Sequence, residues 1–211
     1  MRKIFILICF IFLSICICLS SNDGKYNGID ISHYNSINWS DIANDSNIKF
    51  CYIKASEGAK IKDSKCKKHV NSANKLGLNV GLYHYFRTEV SAEKQFLNFK
   101  EVYDANKTNL IPVIDVEDEG NVFDENANKI LEKLILLFKK EYKVYPIIYY
   151  GSLRAIKTIP VTYKCKKWIS VKNFNYIPSN IISIKQISIG NIGDNYVDLN
   201  YANNIDKLIL K

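Results

Sequence analysis

The chain is poor in residues that could crosslink it. Three of its six cysteines lie in an apolar segment at the N-terminus, and the remainder of the chain holds only Cys51, Cys66 and Cys165. These three can form at most one internal disulfide, so covalent crosslinks cannot be the main source of stability. Their spacing does not resemble a zinc site. Cys51 lies inside an apolar run, and we expect it to be a small buried hydrophobic residue rather than a nucleophile.

Long apolar runs are also scarce, and the one that stands out is at the N-terminus. The basic start MRK precedes an apolar run over residues 4–19, and small polar residues follow. This order is typical of a secretory signal peptide, whereas a membrane anchor needs roughly 20 apolar residues to span a bilayer. We therefore predict a signal peptide over residues 1–21 and a mature domain over residues 22–211. The predicted location is outside the cell or in the lumen of secretory or digestive vesicles.

No internal repeat, low-complexity tract or linker divides the mature chain, which indicates a single domain and, we expect, a monomer. The formal charge of the full chain is +8, and it falls to +6 when Arg2 and Lys3 leave with the signal segment. The sequence has no arginine-rich helix and no nucleic-acid-binding motif. The charge therefore favours acidic cell-wall polymers over nucleic acid as partners, and a solvated basic surface without a dedicated partner is the alternative.

Apolar runs rich in isoleucine, valine and tyrosine recur along the mature chain. Five of them are YNGIDIS (26–32), FCYIKAS (50–56), NVGLYHYF (79–86), LIPVIDVE (110–117) and YPIIYYG (145–151). Runs that are apolar almost throughout are typical of strands buried on both faces, as in a parallel sheet covered by helices. Helical periodicity predicts helices over 63–76 and 91–103 and from Asp124 onward, with Asp124 as the cap.

The last third of the chain has a different rhythm. The runs KWISVK, IISIKQIS and NYVDLN follow one another with too little chain between them for full helices. The count reaches eight strands, with about five helices. We therefore predict an α/β fold, an incomplete TIM-like β/α barrel from which the last helices are missing.

Two acidic residues stand at the end of the fourth run. Asp115 and Glu117 are two residues apart, so in a strand both side chains project to the same face. Two carboxyl groups this close repel one another, which raises the pKa of one of them and supplies a proton donor beside a negative charge. Glycosidic bond cleavage needs this pair of groups. A solvated strand end or a calcium-binding loop is the alternative interpretation.

Two further acids are expected at the same mouth of the barrel. Asp30 ends the first apolar run, and Asp198 lies in the last run, so barrel closure would bring the two side by side. For Asp30 the alternative role is the cap of a following turn or helix. Four acids from three strands would then face one cleft.

At this point the chain resembles the Chalaropsis-type lysozymes of glycoside hydrolase family 25. The matching blocks run in order along nearly the whole mature chain: GIDISHYN (28–35) with Trp39, FCYIKASEG (50–58), GLNVGLYHYF (77–86), PVIDVE (112–117), PIIYYG (146–151), KWIS (167–170), KQIS (185–188) and VDLN (197–200). The resemblance implies a flattened barrel that cleaves the β-1,4 bond between N-acetylmuramic acid and N-acetylglucosamine in peptidoglycan. Retention of configuration and the absence of any metal or cofactor are also implied.

The same resemblance implies roles for the four acids. Glu117 matches the general acid and base, Asp115 matches the partner at the anomeric side, and Asp30 and Asp198 match the other two acids. It leaves open whether an aspartate attacks the sugar or the substrate's acetamido group does so. The chain departs from the family pattern at Lys185, where an aromatic residue usually precedes the glutamine.

Aromatic residues near strand ends are candidates for binding sugar. We expect Tyr83, Tyr149 and Trp168 to stack on sugar faces, although each could simply be a core residue. His33 and His84 fall inside matching blocks but receive no catalytic role. Three alternative functions remain open: a barrel that binds glycan without cutting it, a chitinase-like hydrolase, and a membrane-active antimicrobial protein.

Overall fold

The computed structural model describes residues 26–104, 106–117, 124–151, 164–170 and 182–210. The strands are β1 (Gly28–Ile31), β2 (Phe50–Glu57), β3 (Ile61–Lys62), β4 (Asn79–Tyr85), β5 (Val113–Val116), β6 (Ile147–Tyr150), β7 (Lys166–Ser170), β8 (Ile182–Ile192) and β9 (Asn195–Ala202). The helices are α1 (Trp39–Asn44), α2 (Cys66–Lys75), α3 (Ala92–Asp104), α4 (Glu125–Tyr142) and a short 3-10 helix (Ile205–Leu208).

Eight of these strands close into a barrel, which confirms the predicted fold class. The order around the barrel is β1, β9, β8, β7, β6, β5, β4 and β2, and the pairing of β1 with β2 completes the ring. The two-residue strand β3 lies outside this ring against the end of β2. Within the ring, neighbouring strands from β1 through β2 and β4 to β8 run parallel.

The last strand departs from the predicted parallel arrangement. β9 runs antiparallel to both β8 and β1. The cause is the short connection, because only the turn at Gly193, with φ of +57°, separates the end of β8 from the start of β9. A connection this short can join only antiparallel strands, since a parallel pair needs a crossover of a dozen or more residues.

The three predicted helices are present within a few residues of their expected bounds. Asp124 caps α4 as predicted, because its Oδ1 accepts a hydrogen bond from Ala127 N at 2.7 Å. Sequence periodicity missed α1 and the 3-10 helix, which are too short to show a repeating apolar face. The predicted signal peptide lies outside the described residues. So do the segments 152–163 and 171–181, which connect β6 to β7 and β7 to β8. Among the helices that the structure describes, none is long and apolar enough to cross a membrane.

Alternation along the strands sorts their side chains into two apolar layers. Outward strand residues such as Ile29 and Ile53 pack against helix residues such as Phe138 of α4. Inward residues, among them Phe50, Tyr52 and Trp168, fill the interior of the barrel. Cys51, Cys66 and Cys165 are all buried with free thiols, and burial raises the pKa of each thiol. Cys51 is therefore the buried hydrophobic residue that the sequence predicted.

A glycine on a neighbouring strand makes room for the inward ring of Tyr52. Gly81 on β4 lies beside Tyr52 on β2, and a Cβ atom at Gly81 would stand 2.1 Å from the tyrosine ring. Tyr52 is held there, because its hydroxyl donates a hydrogen bond to Ile111 O at 3.0 Å. The ring cannot shift without losing this bond.

We predict that Gly81→Ala lowers the free energy of unfolding by about 1–3 kcal/mol, the usual cost of overpacking a core. Denaturant titration followed by circular dichroism measures the change. The cost should shrink in a Tyr52→Leu background, where the smaller side chain leaves space for the methyl group. An equal cost in both backgrounds would show that the clash with Tyr52 is not the cause.

Candidate active site

A pocket of about 210 Å³ opens at the carboxyl ends of the parallel strands. Among the described residues, those that line it are Asp30, Tyr83, Val113, Asp115, Glu117, Tyr149, Trp168, Gln186 and Asp198. All seven residues predicted for the site from sequence are in this set. The apolar interior of the barrel forms the floor below them. The pocket therefore joins four carboxyl groups, which can transfer protons, to three aromatic rings, which offer flat apolar surfaces.

The carboxyl groups of Asp115 and Glu117 meet at the end of β5. Asp115 is 7% exposed, and its Oδ1 has no hydrogen-bond partner in the part of the chain that the structure describes. Burial, the charge of Glu117 and a hydrogen bond with Glu117 raise the pKa of Asp115. Gly151 at the end of β6 leaves space for Glu117, since a Cβ atom there would lie 2.9 Å from Glu117 Cγ. The pair is thus a buried acid in contact with a more exposed one.

Asp30 and Asp198 face one another across the β1–β9 pairing, as barrel closure predicted. Asp198 does not end a strand, however, and lies in the middle of the antiparallel strand β9. Its side chain still reaches the mouth of the barrel, because β9 is antiparallel to β1 and its middle lies beside the end of β1. Burial and the charge of Asp198 raise the pKa of Asp30 to about 8, although hydrogen bonds from Asn200 and Gln186 oppose this shift.

Two amide side chains that were not predicted from the sequence hold Asp30 in place. Asn200 Nδ2 and Gln186 Nε2 both donate to Asp30 Oδ2, at 2.7 and 3.2 Å. Gln186 in turn accepts from the Tyr149 hydroxyl at 2.9 Å, and Asn200 accepts from Trp168 Nε1 at 3.0 Å. A chain of hydrogen bonds therefore fixes two aromatic rings and one acid relative to each other. Both amides belong to blocks quoted for the family resemblance, KQIS and VDLN, and this was the available signal.

A buried cation lies beside the pocket and was also missed. Lys54 on β2 is 8% exposed, and its Nζ lies 2.7 Å from Glu57 Oε2 and 4.9 Å from the centre of the Tyr85 ring. Arg87 forms a second ion pair with Glu57 and also lies over the Tyr85 ring, 4.7 Å from its centre. The charge of Lys54 lowers the pKa of Asp115 and so opposes the effect of burial.

The aromatic residues of the pocket differ in how much surface they offer. Trp168 is only 2% exposed and packs edge-on against Tyr149, with ring centres 5.2 Å apart, so it is part of the floor. Tyr83 and Tyr149 are partly exposed. Lys185 follows the outward alternation of β8, opposite to Gln186, and pairs with Ile169 of the outer layer. An aromatic residue at position 185 would also point outward, so the lysine found there removes no aromatic ring from the pocket.

The two histidines take structural positions. His84 is fully buried, with Nδ1 2.9 Å from Ser56 Oγ and Nε2 3.2 Å from Gln95 Oε1. Burial lowers its pKa to about 4, so the ring is neutral near pH 7. His33 is partly exposed and is tied to Asp63 Oδ2 through both its backbone N and its ring Nδ1. Within the described residues, no group of three or more His, Cys, Asp or Glu side chains could hold a metal ion.

An eight-stranded β/α barrel with an acidic pocket at the carboxyl ends of its strands has the architecture of a barrel enzyme. The sequence profile of glycosyl hydrolases family 25 matches residues 29–170. The chain belongs to this family.

Individual relatives agree with the family profile. YegX, an uncharacterized protein of Escherichia coli K12, is 31% identical over 131 residues, which are 60% of this chain and 48% of YegX. The chain spans about half the length of this curated relative. Lysozyme M1 of Streptomyces globisporus is 39% identical over 66 residues, 31% of this chain and 22% of that protein.

Solved structures share the fold over most of the chain. A family 25 glycosyl hydrolase from Bacillus anthracis superposes with a TM-score of 0.69 and 25% identity, covering 88% of this chain and 95% of that one. A bacterial lysozyme from Streptomyces coelicolor superposes with a TM-score of 0.71 over 89% of this chain and 96% of its own. Its 22% identity supports the fold alone.

The buried acid Asp30 makes stability depend on pH. Between its ordinary pKa of 3.8 and about 8 the folded state keeps a proton that the unfolded chain has lost, so stability falls as pH rises through this window. We predict that Asp30→Asn removes this loss. The difference in free energy of unfolding, variant minus unsubstituted protein, should therefore increase as pH is raised from 4 towards 8.

Denaturant titrations at several pH values measure this difference. Asp206→Asn, which replaces an exposed aspartate in the 3-10 helix, is the matched control. A difference between Asp30→Asn and the unsubstituted protein that stays constant across the window would contradict the assignment of this proton to Asp30.

Proposed function

We propose that this protein is a lysozyme, an N-acetylmuramidase that hydrolyses the β-1,4 bond between N-acetylmuramic acid and N-acetylglucosamine in bacterial peptidoglycan. The observation that carries the proposal is the contact between Asp115 and Glu117 in a pocket that also holds Asp30 and Asp198. Family membership supports it, as do the family 25 hydrolase and lysozyme structures that share the fold.

Glu117 is the general acid of the proposed reaction. It is the more exposed member of the pair, so it can reach the glycosidic oxygen of a bound glycan, whereas Asp115 is buried beneath it. Protonation of that oxygen lets the bond to the anomeric carbon break while positive charge develops on the sugar ring. The carboxylate of Asp115, when that acid is ionised, stabilises this charge more strongly than it would in water, because the pocket is partly shielded from solvent.

The short separation of the Asp115 and Glu117 carboxyl groups helps to identify the group that attacks the anomeric carbon. Retaining enzymes with an enzymatic nucleophile separate their two carboxyl groups by about 5–5.5 Å. Asp115 and Glu117 are instead hydrogen-bonded to one another. This contact supports a reaction in which the acetamido group of the substrate attacks while Asp115 orients and stabilises it. Glu117 then acts as the base that activates water for the second step.

The setting of the reaction is part of the same proposal. The N-terminal segment has the order of a secretory signal peptide, and the remainder of the chain is basic, as suits contact with acidic wall polymers. We therefore place the enzyme outside the cytosol, as a monomer that acts against bacterial cell walls.

The first test of the activity is Glu117→Gln. The amide cannot donate the proton, so we expect turnover on purified peptidoglycan to fall by about a hundredfold to ten-thousandfold, while folding and binding to peptidoglycan persist. Glu132→Gln on the exposed face of α4 is the control and should retain full activity. Mass spectrometry of the new reducing ends identifies the bond.

Each product has a distinct meaning. N-acetylmuramic acid at the reducing end supports the muramidase, and N-acetylglucosamine there would indicate a glucosaminidase. Cleavage of chitin in place of peptidoglycan would indicate a chitinase-like enzyme, and binding without products would indicate a glycan-binding barrel. Retention of more than about a tenth of the activity in Glu117→Gln would remove Glu117 from the role of acid.

The second test concerns Lys54, whose charge favours the ionised form of Asp115. In Lys54→Met the pKa of Asp115 should rise further, and the acidic limb of the pH–activity profile should move to higher pH. Lys54→Arg keeps the charge and should leave that limb near its original position. An unmoved acidic limb in a folded Lys54→Met protein would separate Lys54 from the ionisation of Asp115.

A further inference from the structure

The hairpin of β8 and β9 continues beyond the four acids and carries side chains on the same face as Asp198. In its register Ile189 pairs with Asp198 and Asn191 pairs with Tyr196. Paired residues of antiparallel strands share a face, and so do residues two apart along one strand. Tyr196 therefore lies one step above Asp198 on the cleft side of the hairpin. It is 65% exposed, and Ile189 is 43% exposed.

A second exposed tyrosine lies on the turn that follows β1. Tyr34 is 83% exposed, and its ring packs on the ring of His33 with centres 3.9 Å apart. His33 is itself held by Asp63, to which both its backbone N and its ring Nδ1 are hydrogen-bonded. The ring of Tyr34 is thus supported from beneath, although most of it faces solvent.

The turn and the hairpin are tied to one another. Asn35 Nδ2 donates to Tyr196 O at 3.1 Å, and Asn35 Oδ1 accepts from Ser32 N at 2.9 Å. At the turn end of the hairpin, Asn195 Oδ1 accepts from Asn38 N at 2.6 Å. These bonds fix the backbone at both tyrosines without covering the rings. We call Tyr34 and Tyr196 the rim tyrosines.

We propose that the rim tyrosines form an additional glycan-binding surface, on which sugar rings beyond the pocket stack when a long peptidoglycan strand is bound. This inference rests on the proposed function, because it names where the rest of the same polymer lies. Tyr196 lies on the same face of β9 as the pocket residue Asp198. A glycan that leaves the pocket along the hairpin therefore passes over Tyr196.

The chemistry of the surface fits this occupant. A pyranose ring has an apolar face of C–H groups and a polar edge of hydroxyls, and tyrosine offers the matching combination of a flat apolar ring and a polar tip. The pocket volume of about 210 Å³ leaves most of a polymer outside it. Other exposed large apolar residues, such as Leu97 and Leu136, lie on helices that cover the outside of the barrel.

The test compares short and long glycans in a Glu117→Gln background, where binding can be measured without cleavage. The probes are a tetrasaccharide and an octasaccharide of alternating N-acetylglucosamine and N-acetylmuramic acid, titrated by calorimetry. We expect Tyr196→Ala and Tyr34→Ala each to weaken octasaccharide binding by about threefold to tenfold, the factor that corresponds to one aromatic contact. Tetrasaccharide binding should be unchanged. Tyr196→Phe keeps the ring and should bind like the parent, and Leu97→Ala is the control for an exposed apolar side chain outside the site.

The outcomes separate this inference from the proposed function. Equal affinities of the alanine variants and the parent for the octasaccharide would overturn the role of the rim tyrosines, whatever the activity of the unsubstituted protein. Length-dependent weakening in a protein that cleaves no peptidoglycan would support the surface and overturn the proposed function. Failure of the parent to bind either probe would overturn both.

Discussion

Strand β9 pairs with β8 on one side and β1 on the other, and these antiparallel pairings close the barrel. The composition of the pocket depends on them. They set Asp198 opposite Asp30, bring Asn200 within 2.7 Å of the Asp30 carboxyl group, and place Gln186 on the facing strand. Without closure, the first and last strands would each carry a polar group towards solvent. With it, acids far apart in sequence share one pocket that is partly shielded from solvent, where burial and the charges of Asp198 and Glu117 raise the pKa of Asp30.

Burial of several acids in one pocket opposes folding, because charges of like sign are brought together out of water. The barrel offsets this in two ways. An apolar interior beneath the pocket, formed by residues such as Phe50, Tyr52 and Trp168, supplies hydrophobic stabilisation. Neutral amides and the cation of Lys54 then moderate the repulsion. The cost of burying the acids that is not offset is seen in the raised pKa values of Asp30 and Asp115. Such shifts are typical of functional sites.

Hydrogen bonds also fix the geometry of the pocket. The hydrogen bonds from Trp168 to Asn200, from Asn200 and Gln186 to Asp30, and from Tyr149 to Gln186 connect the floor, one wall and one acid. Because the polar atoms of this network are hydrogen-bonded before substrate arrives, little reorganisation of them is needed on binding. Gly151 serves the same purpose for Glu117, since its missing side chain leaves the space that the carboxyl group occupies.

The sequence alone determined the elements of this protein and much of its chemistry. Short, nearly continuous apolar runs predicted eight strands, and helical periodicity predicted three of the helices, since these patterns follow from local backbone geometry. The i, i+2 spacing placed Asp115 and Glu117 on one face. Positions in the predicted strands and at their ends added Asp30, Asp198 and the three aromatic residues that line the pocket, and the family resemblance implied the roles of the acids.

Tertiary structure alone decided which of these residues touch and which side chains support them. The antiparallel direction of β9, the amides that hold Asp30, the burial of Lys54 beside Asp115, and the outward direction of Lys185 all depend on contacts between residues distant in the chain. A local pattern carries no record of such contacts. They arise only when the barrel closes, because closure sets the register between strands and the register sets which side chains share a face.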